Sequence, residues 1–263
     1  MCKYFWCIIK KQTIMKTGII IPCYNEANRL DVNEFIRFAK ENKNYHLCFV
    51  NDGSKDHTLE VLEDLQEQSS DNITVIDVKI NAGKAAAVRT GVKYLNRIEE
   101  IAYIGFMDAD LSTDFNDFEK LVRTLKFREE LTFVYGSRGK GEGQIERSFF
   151  RSLFSKMVKM IVLMILGLPI EDTQCGAKVF KKEIIGVAYG DKFLTRWLFD
   201  VEIFIRLKKY YGKQTIMNKI YEQPLTKWVH VDDSKLGVKD AVQIPYMLLS
   251  IWFSYSLGNV VSN

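Results

Sequence analysis

The sequence predicts an α/β fold with a doubly wound, mostly parallel sheet. Two observations lead to this prediction. Short apolar segments alternate with segments of helical periodicity through the first half of the chain, and a polar loop follows each apolar segment. Strands that alternate with helices build parallel sheets through right-handed crossovers. With 263 residues, the chain is long enough to bury the core of one such domain.

Five segments have the length and apolar character of buried strands: Gly18–Pro22, Tyr45–Val50, Ile73–Val78, Ile101–Met107 and Leu131–Tyr135. Apolar residues recur at helical spacing between them, as in Leu59, Leu62 and Leu65. A longer helix is expected from Arg147 to about Gly167, where glycine followed by Pro169 ends it. The sheet therefore occupies the first half of the chain, and helices dominate after it.

Composition and charge exclude several classes of protein. The chain is 47% hydrophobic and 27% charged, which is typical of a globular protein, and its net charge of +4 suits an anionic ligand or a membrane surface. It contains no nucleic-acid-binding motif, so no nucleic-acid partner is expected. Five scattered cysteines without a Cys-x-x-Cys pair, and three histidines without zinc-ligand spacing, indicate a reduced, cytoplasmic compartment and no zinc site.

Three regions are expected: a tail at residues 1–15 without a motif, a catalytic domain at 16–240, and an uncharged segment at 241–263. The longest uncharged run before the last segment, 160–170, has 11 residues, whereas a spanning helix needs about 20. In the last segment, polar residues and Pro245 interrupt the apolar sequence and lower its hydrophobicity. No segment therefore has a clear transmembrane pattern, and the long helix and the last segment could both lie in a membrane interface. The sequence leaves open whether the last segment spans the membrane or lies on it.

The predicted long helix has two stripes. Its polar stripe repeats every four residues and contains Arg147, Arg151, Ser155 and Lys159. Its apolar stripe contains Phe149, Leu153, Met157, Met160 and Met164. This pattern predicts a peripheral helix on the cytoplasmic face of an anionic membrane. The sequence leaves the oligomeric state open.

The central predicted strand ends in Asp108-Ala-Asp110. In open α/β sheets, ligands bind beyond the carboxyl ends of the strands, so both aspartates are expected in the ligand crevice. Two close carboxylates repel each other unless a cation lies between them, and oxygen ligands suit Mg²⁺ or Mn²⁺. Asp108 and Asp110 are therefore predicted metal ligands. A solvated turn is the alternative for an isolated Asp-x-Asp.

Other strand-end loops carry Glu26, Asp52 and Asp56. Asp52 could accept the N–H of a nucleobase such as uracil, and Gly83-Lys84, at a helix start, offers backbone N–H groups and an ammonium to a phosphate. Asp110 could hold the cation that bridges two phosphates. Each loop taken alone could be a solvated turn or a helix cap, but their shared edge predicts a nucleotide-diphosphate site.

These loops resemble the motifs of glycosyltransferase family 2, which has the Rossmann-like GT-A fold of nucleotide-diphospho-sugar transferases. The resembling segments are Pro22-Cys-Tyr-Asn-Glu26, Asn51-Asp-Gly-Ser-Lys-Asp56, Asn81-Ala-Gly-Lys84 and Asp108-Ala-Asp110. The second half is similar to the dolichyl-phosphate β-glucosyltransferase branch in Gly136-Ser-Arg138, Asp172-Thr-Gln-Cys-Gly176, Arg196-Trp-Leu-Phe-Asp-Val-Glu202 and Ser234-Lys-Leu236. The resemblance covers roughly Lys16 to Leu236.

The resemblance implies roles for individual residues. The nucleotide pocket would contain Pro22, Tyr24, Glu26, Asp52 and Lys84, with Asp52 on the uracil. Asp108 would lie near the ribose or the metal, and Asp110 would bind the metal. Residues facing the acceptor phosphate would be Arg138, Arg147 and Arg151. The sugar end of the cleft would be shaped by Asp172, Gln174 and the stretch Phe199–Glu202.

The sequence departs from the family pattern in two places. Asn51 stands where many relatives have a first aspartate, and Ser112 stands where the mannose synthases have a glutamine that is a possible metal ligand. The second departure weakens the mannose analogy. Judged on spacing alone, Lys178, Arg196 and Lys235 are expected to be surface cations. On the same basis Asp200 and Glu202 are expected to cap or decorate a helix, and Trp197 and Phe199 to be core residues.

We therefore predict an inverting glycosyltransferase that moves a hexose, glucose in the first place, from a UDP-sugar to a polyprenyl phosphate. The main alternative is transfer to a glycan hydroxyl, which would need a general base, with Asp172 or Asp200 as candidates. A phosphatase of the haloacid-dehalogenase type is disfavoured because its Asp-x-Asp normally lies near the N-terminus. A catalytically inactive membrane-binding module is disfavoured by the full carboxylate set.

Overall fold

The computed structural model describes residues 15–138, 149–226 and 238–257, with the backbone alone for 149–157 and 238–242. Residues 1–14 of the predicted tail, Arg147 and the Ser234-Lys-Leu236 motif lie outside the described residues, and the side chain of Arg151 does too.

The described residues contain seven strands and eight α-helices. The strands are β1 Lys16–Cys23, β2 Tyr45–Asp52, β3 Ile73–Val78, β4 Ile101–Phe106, β5 Phe133–Ser137, β6 Lys178–Lys181 and β7 Ile220–Pro224. The helices are α1 Val32–Glu41, α2 Thr58–Glu67, α3 Lys84–Leu95, α4 Phe115–Phe127, α5 Phe149–Leu166, α6 Ile185–Tyr189, α7 Phe199–Tyr211 and α8 Val238–Ser256.

The seven strands form one sheet in the order β3-β2-β1-β4-β6-β5-β7. All neighbouring pairs are parallel except those of β6, which runs antiparallel to both β4 and β5. Strand β4 is the central one, as predicted. Because β6 alone is reversed, the carboxyl ends of β1, β2, β4 and β5 meet at one edge of the sheet.

Helices cover both faces of the sheet, as the doubly wound prediction requires. One core lies between the sheet and α3, α5, α6, α7 and α8, and contains Ile20, Val50, Phe106, Phe199 and Phe204. The other lies under α1, α2 and α4 and contains Phe35, Phe49 and Phe118. A strand covered on both faces needs apolar side chains on both, which explains the unbroken apolar run of β4.

The five predicted strands are confirmed, with β5 displaced by two residues, but β6 and β7 were not predicted. Strand β6 has four residues and contains two lysines, Lys178 and Lys181. Strand β7 includes Glu222 and Gln223. Both are short and polar, so neither has the apolar signal that identifies a buried strand.

Helices α5 and α8 pack against each other beside the sheet. Val162 and Leu166 of α5, and Leu248, Ile251 and Tyr255 of α8, are buried. Within the described residues, no helix combines the length and the apolar character that crossing a bilayer requires. Helix α8 extends across residue 240, where the sequence analysis put a boundary, and the division into three regions stays a prediction.

Candidate active site

The candidate site is built on the loops that follow β1, β2, β4 and β5 at the shared edge of the sheet. The first two loops are locked together by hydrogen bonds between backbone and side chains. Glu26 N donates to Thr58 Oγ1 at 2.8 Å, and Asn25 N donates to Ser54 Oγ at 3.0 Å. In return, Lys55 N donates to Asn25 Oδ1 at 2.8 Å. The wall of the predicted nucleotide pocket is thus held by local contacts, with Pro22 and Tyr24 half-buried beside it.

Asp52, at the end of β2, holds the next loop in place. Its Oδ1 accepts the N–H of Ala82 at 2.9 Å and its Oδ2 accepts the N–H of Gly83 at 2.7 Å. The side chain of Asp52 is buried, and its bond to Gly83 forms away from water, whereas the bond to the exposed Ala82 is only partly shielded. Asp52 therefore positions the loop between β3 and α3, a role that the sequence analysis did not predict. Its predicted contact with uracil stays a prediction.

The N-terminus of α3 offers less to a phosphate than the sequence suggested. The N–H groups of Ala82 and Gly83 already bind Asp52, and Ala85 N donates to the carbonyl of Arg196 at 3.1 Å. Gly83 has a φ of 93°, a conformation that glycine adopts without cost. The chemistry of this loop therefore depends on side-chain cations more than on backbone amides.

The ammonium of Lys84 points to the end of β4, where its Nζ lies 2.5 Å from Oδ1 of Asp108. Burial favours the neutral amine, but the nearby carboxylates of Asp108, Asp200 and Asp110 raise the pKa of Lys84 overall. Lys84 is therefore a cation at neutral pH. Asp108 also lies over Gly176, because a Cβ built there would be 1.9 Å from Asp108 Oδ2. A side chain at position 176 would displace this carboxylate.

Asp110 lies two residues further on, where the chain turns sharply. Its Oδ1 accepts the N–H of Ser112 at 3.0 Å, and its Oδ2 is 3.5 Å from Nη2 of Arg29. Arg29 also lies 3.6 Å from Oε2 of Glu26. Leu111 has a φ of 52°, the left-handed region that a branched side chain rarely adopts. Strain of this kind concentrates at functional sites.

Asp108 and Asp110 are suitable ligands for a divalent cation. They are oxygen donors separated by one residue, and the side chain of Asp110 is a quarter exposed. The described residues contain no group of three or more histidine, cysteine, aspartate or glutamate side chains that could hold a metal alone. Mg²⁺ is commonly bound by one or two carboxylates together with substrate phosphates. The donor set thus fits a metal that binds with a diphosphate.

Arg138 and Asp172 form a two-pronged ion pair beyond the end of β5. Nε and Nη2 of Arg138 each lie 2.8 Å from an oxygen of Asp172. Burial alone would raise the pKa of Asp172, but Arg138 lowers it overall. Asp172 is therefore a fully ionised partner of Arg138 and a weak general base. The negative charge of Asp108, at the end of β4, also contributes to the raised pKa of Arg138. The ion pair therefore lies within the electrostatic field of the Asp108 carboxylate.

Lys178 and Asp200 form a buried ion pair near Lys84 and Asp108, and this pairing was not predicted, although the resemblance implied a place for Asp200 at the sugar end of the cleft. Lys178 was expected to be a surface cation, yet it is fully buried in β6, with its Nζ 2.8 Å from Oδ1 of Asp200. Asp200 was expected to cap or decorate a helix. It lies in the first turn of α7 and is 5% exposed. Burial raises its pKa, although Lys178 and Lys84 act in the opposite direction. The prediction of Lys178 as a surface residue is wrong because a reversed strand places it inside the sheet.

Four residues of the predicted site lie together in the structure, and their roles in binding and catalysis stay predictions. Asp108, Asp110, Asp172 and Lys84 carry charges at one edge of the sheet, each with an opposite charge beside it. Arg29 was missed, although its position three residues after Glu26 was a usable signal. Lys178 and its pairing with Asp200 could not be found, because β6 itself has no sequence signature.

Comparison with known proteins identifies the family of the chain. The family model "Glycosyl transferase family 2" matches residues 18–186. The chain is 30% identical over 256 residues to a dolichyl-phosphate beta-glucosyltransferase of Dictyostelium discoideum, covering 92% of this chain and 75% of that protein. It is 32% identical over 234 residues to the human dolichyl-phosphate beta-glucosyltransferase, covering 83% and 69%.

A solved structure has the same fold. Glucosyl-3-phosphoglycerate synthase from Mycobacterium tuberculosis, in complex with Mn²⁺, UDP-glucose and phosphoglyceric acid, superimposes with a TM-score of 0.65 at 17% identity. The match covers 96% of this chain and 86% of that one. At this identity the likeness shows the fold alone. The chain therefore has the GT-A fold and belongs to glycosyltransferase family 2.

Proposed function

We propose that the protein transfers glucose from UDP-glucose to a polyprenyl phosphate of the dolichyl type, with inversion at the anomeric carbon. The observation that carries the proposal is the set of charged groups at the end of β4 and β5: Lys84 with Asp108, Asp110, and Arg138 with Asp172. The names of the relatives at 30% and 32% identity supply the donor sugar and the lipid acceptor.

Transfer to a phosphate does not require the protein to supply a strong general base. An acceptor phosphate is already an anion at neutral pH, so its oxygen can attack the anomeric carbon directly. The bond from that carbon to the oxygen of UDP breaks, and its electron pair leaves with the diphosphate. Lys84 would stabilise the charge that develops there, and a divalent cation held by Asp108 and Asp110 would neutralise it further.

The alternative, transfer to a hydroxyl, would need a general base, and neither of the two candidates from the sequence, both among the described residues, is suited to that role. A general base must be ionisable near neutral pH and within reach of the proton that it removes. Asp172 is held by Arg138 with a lowered pKa, and Asp200 is buried against Lys178. Both candidates from the sequence are therefore engaged elsewhere. This supports the phosphate acceptor, for which Arg138 is the proposed binding residue, together with Arg147 and Arg151.

We also propose that the protein binds the surface of an anionic membrane. Helix α8 exposes Tyr246, Leu249, Trp252 and Phe253, Leu257 is exposed just after the helix, and α5 exposes Met160 and Met164. Next to Trp252, a cavity of about 360 Å³ is lined by Lys208, Lys209 and Lys213. Aromatic side chains beside lysines are typical of helices that lie in the headgroup region.

The test is a donor and acceptor screen with the full chain. UDP-glucose, UDP-N-acetylglucosamine and GDP-mannose are each incubated with Mg²⁺ or Mn²⁺ and with either a short-chain polyprenyl phosphate or a free oligosaccharide. We expect a glucosyl polyprenyl phosphate by mass spectrometry, and UDP release that requires the lipid phosphate. Transfer to the oligosaccharide alone, or release of inorganic phosphate from the lipid, would overturn the proposal.

A further inference from the structure

Residues 190–198 connect α6 to α7 and pass over the loop that Asp52 holds. Within this segment, Arg196 makes the contact with that loop. Nη2 of Arg196 donates to the side-chain oxygen of Asn81 and, at 3.3 Å, to its carbonyl. The carbonyl of Arg196 accepts the N–H of Ala85 at 3.1 Å. A Cβ built on Gly83 would be 2.6 Å from Nε of Arg196, so the arginine side chain lies directly on the backbone of this glycine.

The buried carboxylate of Glu202 in α7 anchors this segment to the core through hydrogen bonds. That carboxylate accepts the N–H of Leu194 at 3.0 Å, and the N–H and hydroxyl of Thr195 at 3.1 and 3.0 Å. It also accepts the hydroxyl of Tyr255 from α8 at 3.0 Å. Glu202 is fully buried, so each bond forms in a medium of low dielectric constant, where it is strong. The two residues before Arg196 are therefore fixed to the core.

Arg206, one turn after Glu202, fixes the start of the same segment. Its guanidinium donates to the carbonyls of Ala188, Asp191 and Lys192 at 2.9, 3.1 and 2.8 Å. It lies over the ring of Phe193, 4.3 Å from its centre. Nearly every position from 188 to 195 thus has a contact that restrains it. Rigid support of this kind is needed where a side chain must be held within a fraction of an ångström for binding.

Arg196 itself is exposed, and it differs from the other cations near the site. Lys84, Arg138 and Lys178 each face a carboxylate. Among the described residues no carboxylate pairs with Arg196, whose acceptors are both on the neutral Asn81. A guanidinium presents its donors in a planar fork that matches a phosphate. Its charge is therefore available to an anion bound beside Gly83 and Lys84.

We infer that Arg196 binds the diphosphate of the nucleotide-sugar donor, and that Glu202 is the positioning residue that presents it. The inference rests on the proposed function, which supplies the UDP-sugar. It replaces the expectation, based on spacing, that Arg196 is an ordinary surface cation. The inference also explains the buried network of Glu202, Arg206 and Tyr255. This network would hold a phosphate-binding arginine over the loop that Asp52 anchors.

The test compares UDP with uridine, which has the same base and sugar but no phosphate. Calorimetric titration of the full chain in Mg²⁺ should show that Arg196→Ala weakens UDP binding by roughly tenfold or more, the effect of losing a charge-assisted hydrogen bond. Uridine binding should not change. The matched control is Lys192→Ala, which removes an exposed cation from the same segment and should leave UDP binding as in the wild type.

The positioning role needs a separate measurement. Glu202→Gln should weaken UDP binding and leave uridine binding unchanged, although Arg196 is still present. If that variant does not fold, Tyr255→Phe removes one of the bonds to Glu202 and should produce a smaller loss in the same direction. Equal UDP affinity in Arg196→Ala and the wild type overturns the inference alone. A wild-type chain that binds no UDP overturns the proposed donor, and the inference with it.

Discussion

The ammonium of Lys178 lies 2.8 Å from the carboxylate of Asp200, and Lys178 is completely buried in the central region of the sheet. The same ammonium donates to the carbonyl of Cys175 at 2.5 Å. A buried ion pair is not evidence of net stability, since desolvation offsets much of the attraction. Removing one partner, however, leaves the other charge without compensation.

We therefore expect Lys178→Met to lower the free energy of unfolding by about 3–5 kcal/mol. Urea denaturation followed by circular dichroism measures the change. Replacing both partners, as Lys178→Met with Asp200→Leu, should recover a large part of the loss. The control is Lys93→Met on the exposed face of α3, where the expected change is within about 0.5 kcal/mol. A small loss in Lys178→Met would show that Asp200 is protonated or hydrated without its partner.

Asp52 is expected to be a structural residue as well as a part of the nucleotide pocket. Asp52→Ala leaves the buried N–H of Gly83 without an acceptor, and it removes the partner of the N–H of Ala82, a residue that is exposed to water. A buried donor left unpaired costs about 1–3 kcal/mol, so the free energy of unfolding should fall by about that amount. UDP affinity should fall too, because the loop moves. The exposed Asp71→Ala is the control. Unchanged stability with weaker UDP binding would mean that Asp52 acts on the base alone.

Asp110→Asn should abolish transfer and leave the fold intact. Its side chain is a quarter exposed, and its nearest cation, Arg29, is at 3.5 Å, so little stability depends on its charge. Loss of a carboxylate ligand removes several kcal/mol of charge stabilisation from the transition state. Turnover of UDP-glucose and direct titration of Mn²⁺ provide two independent readouts. Near-normal turnover with full dependence on metal would show that the cation lies elsewhere.

His46 in β2 predicts a pH dependence of stability. Burial, with a smaller effect from Lys16, lowers its pKa from 6.5 to about 4. Between these values the unfolded chain binds a proton that the folded chain does not. Stability from this residue is therefore fully present above pH 6.5 and is lost as the pH falls towards 4, by at most about 3 kcal/mol. Urea unfolding at pH 7 and 4.5 should show a larger loss for the wild type than for His46→Gln. Equal losses would show that His46 is protonated in the folded protein.

The apolar face of α8 predicts membrane binding. Leu249→Ser with Phe253→Ser should reduce co-sedimentation with vesicles that contain anionic lipid, because both side chains are more than half exposed and available to insert. Added salt should reduce binding further. The control is Phe127→Ser, an exposed phenylalanine on α4, which covers the other face of the sheet. If the α8 variant sediments like the wild type, this face does not contact the membrane.

The parts of the site that the sequence predicted have strong local signals. Asp108 and Asp110 follow the most apolar strand of the sheet, and parallel topology brings the ends of β1, β2 and β4 together. The pairing of Arg138 with Asp172 could not be read from the sequence, because 33 residues separate them in the chain and no periodicity relates them. What brings them together is β6 and the contacts of Glu222, which accepts the N–H of Asp172 at 2.9 Å.

The apolar stripe of α5 shows a second limit of sequence-based prediction. Helical spacing correctly placed Met160 and Met164 on one face, but it did not show which face of α5 is buried. Val162 and Leu166 pack on the core, and the two methionines are exposed. An apolar helix has more than one face that could be buried, and only tertiary packing decides between them.

The reversed strand β6 has a consequence for how the protein is made. Strand β5 bonds to β6 on one side and to β7 on the other, so nothing connects it to β4 until residues 178–181 have been synthesised. A nascent chain that stops before Lys178 can assemble β1 to β4, but the edge of β4 stays open and free to pair with another chain. Once β6 has been synthesised, it pairs with β4 and covers this exposed strand edge. Chains truncated between α5 and β6 should therefore be the most prone to aggregate.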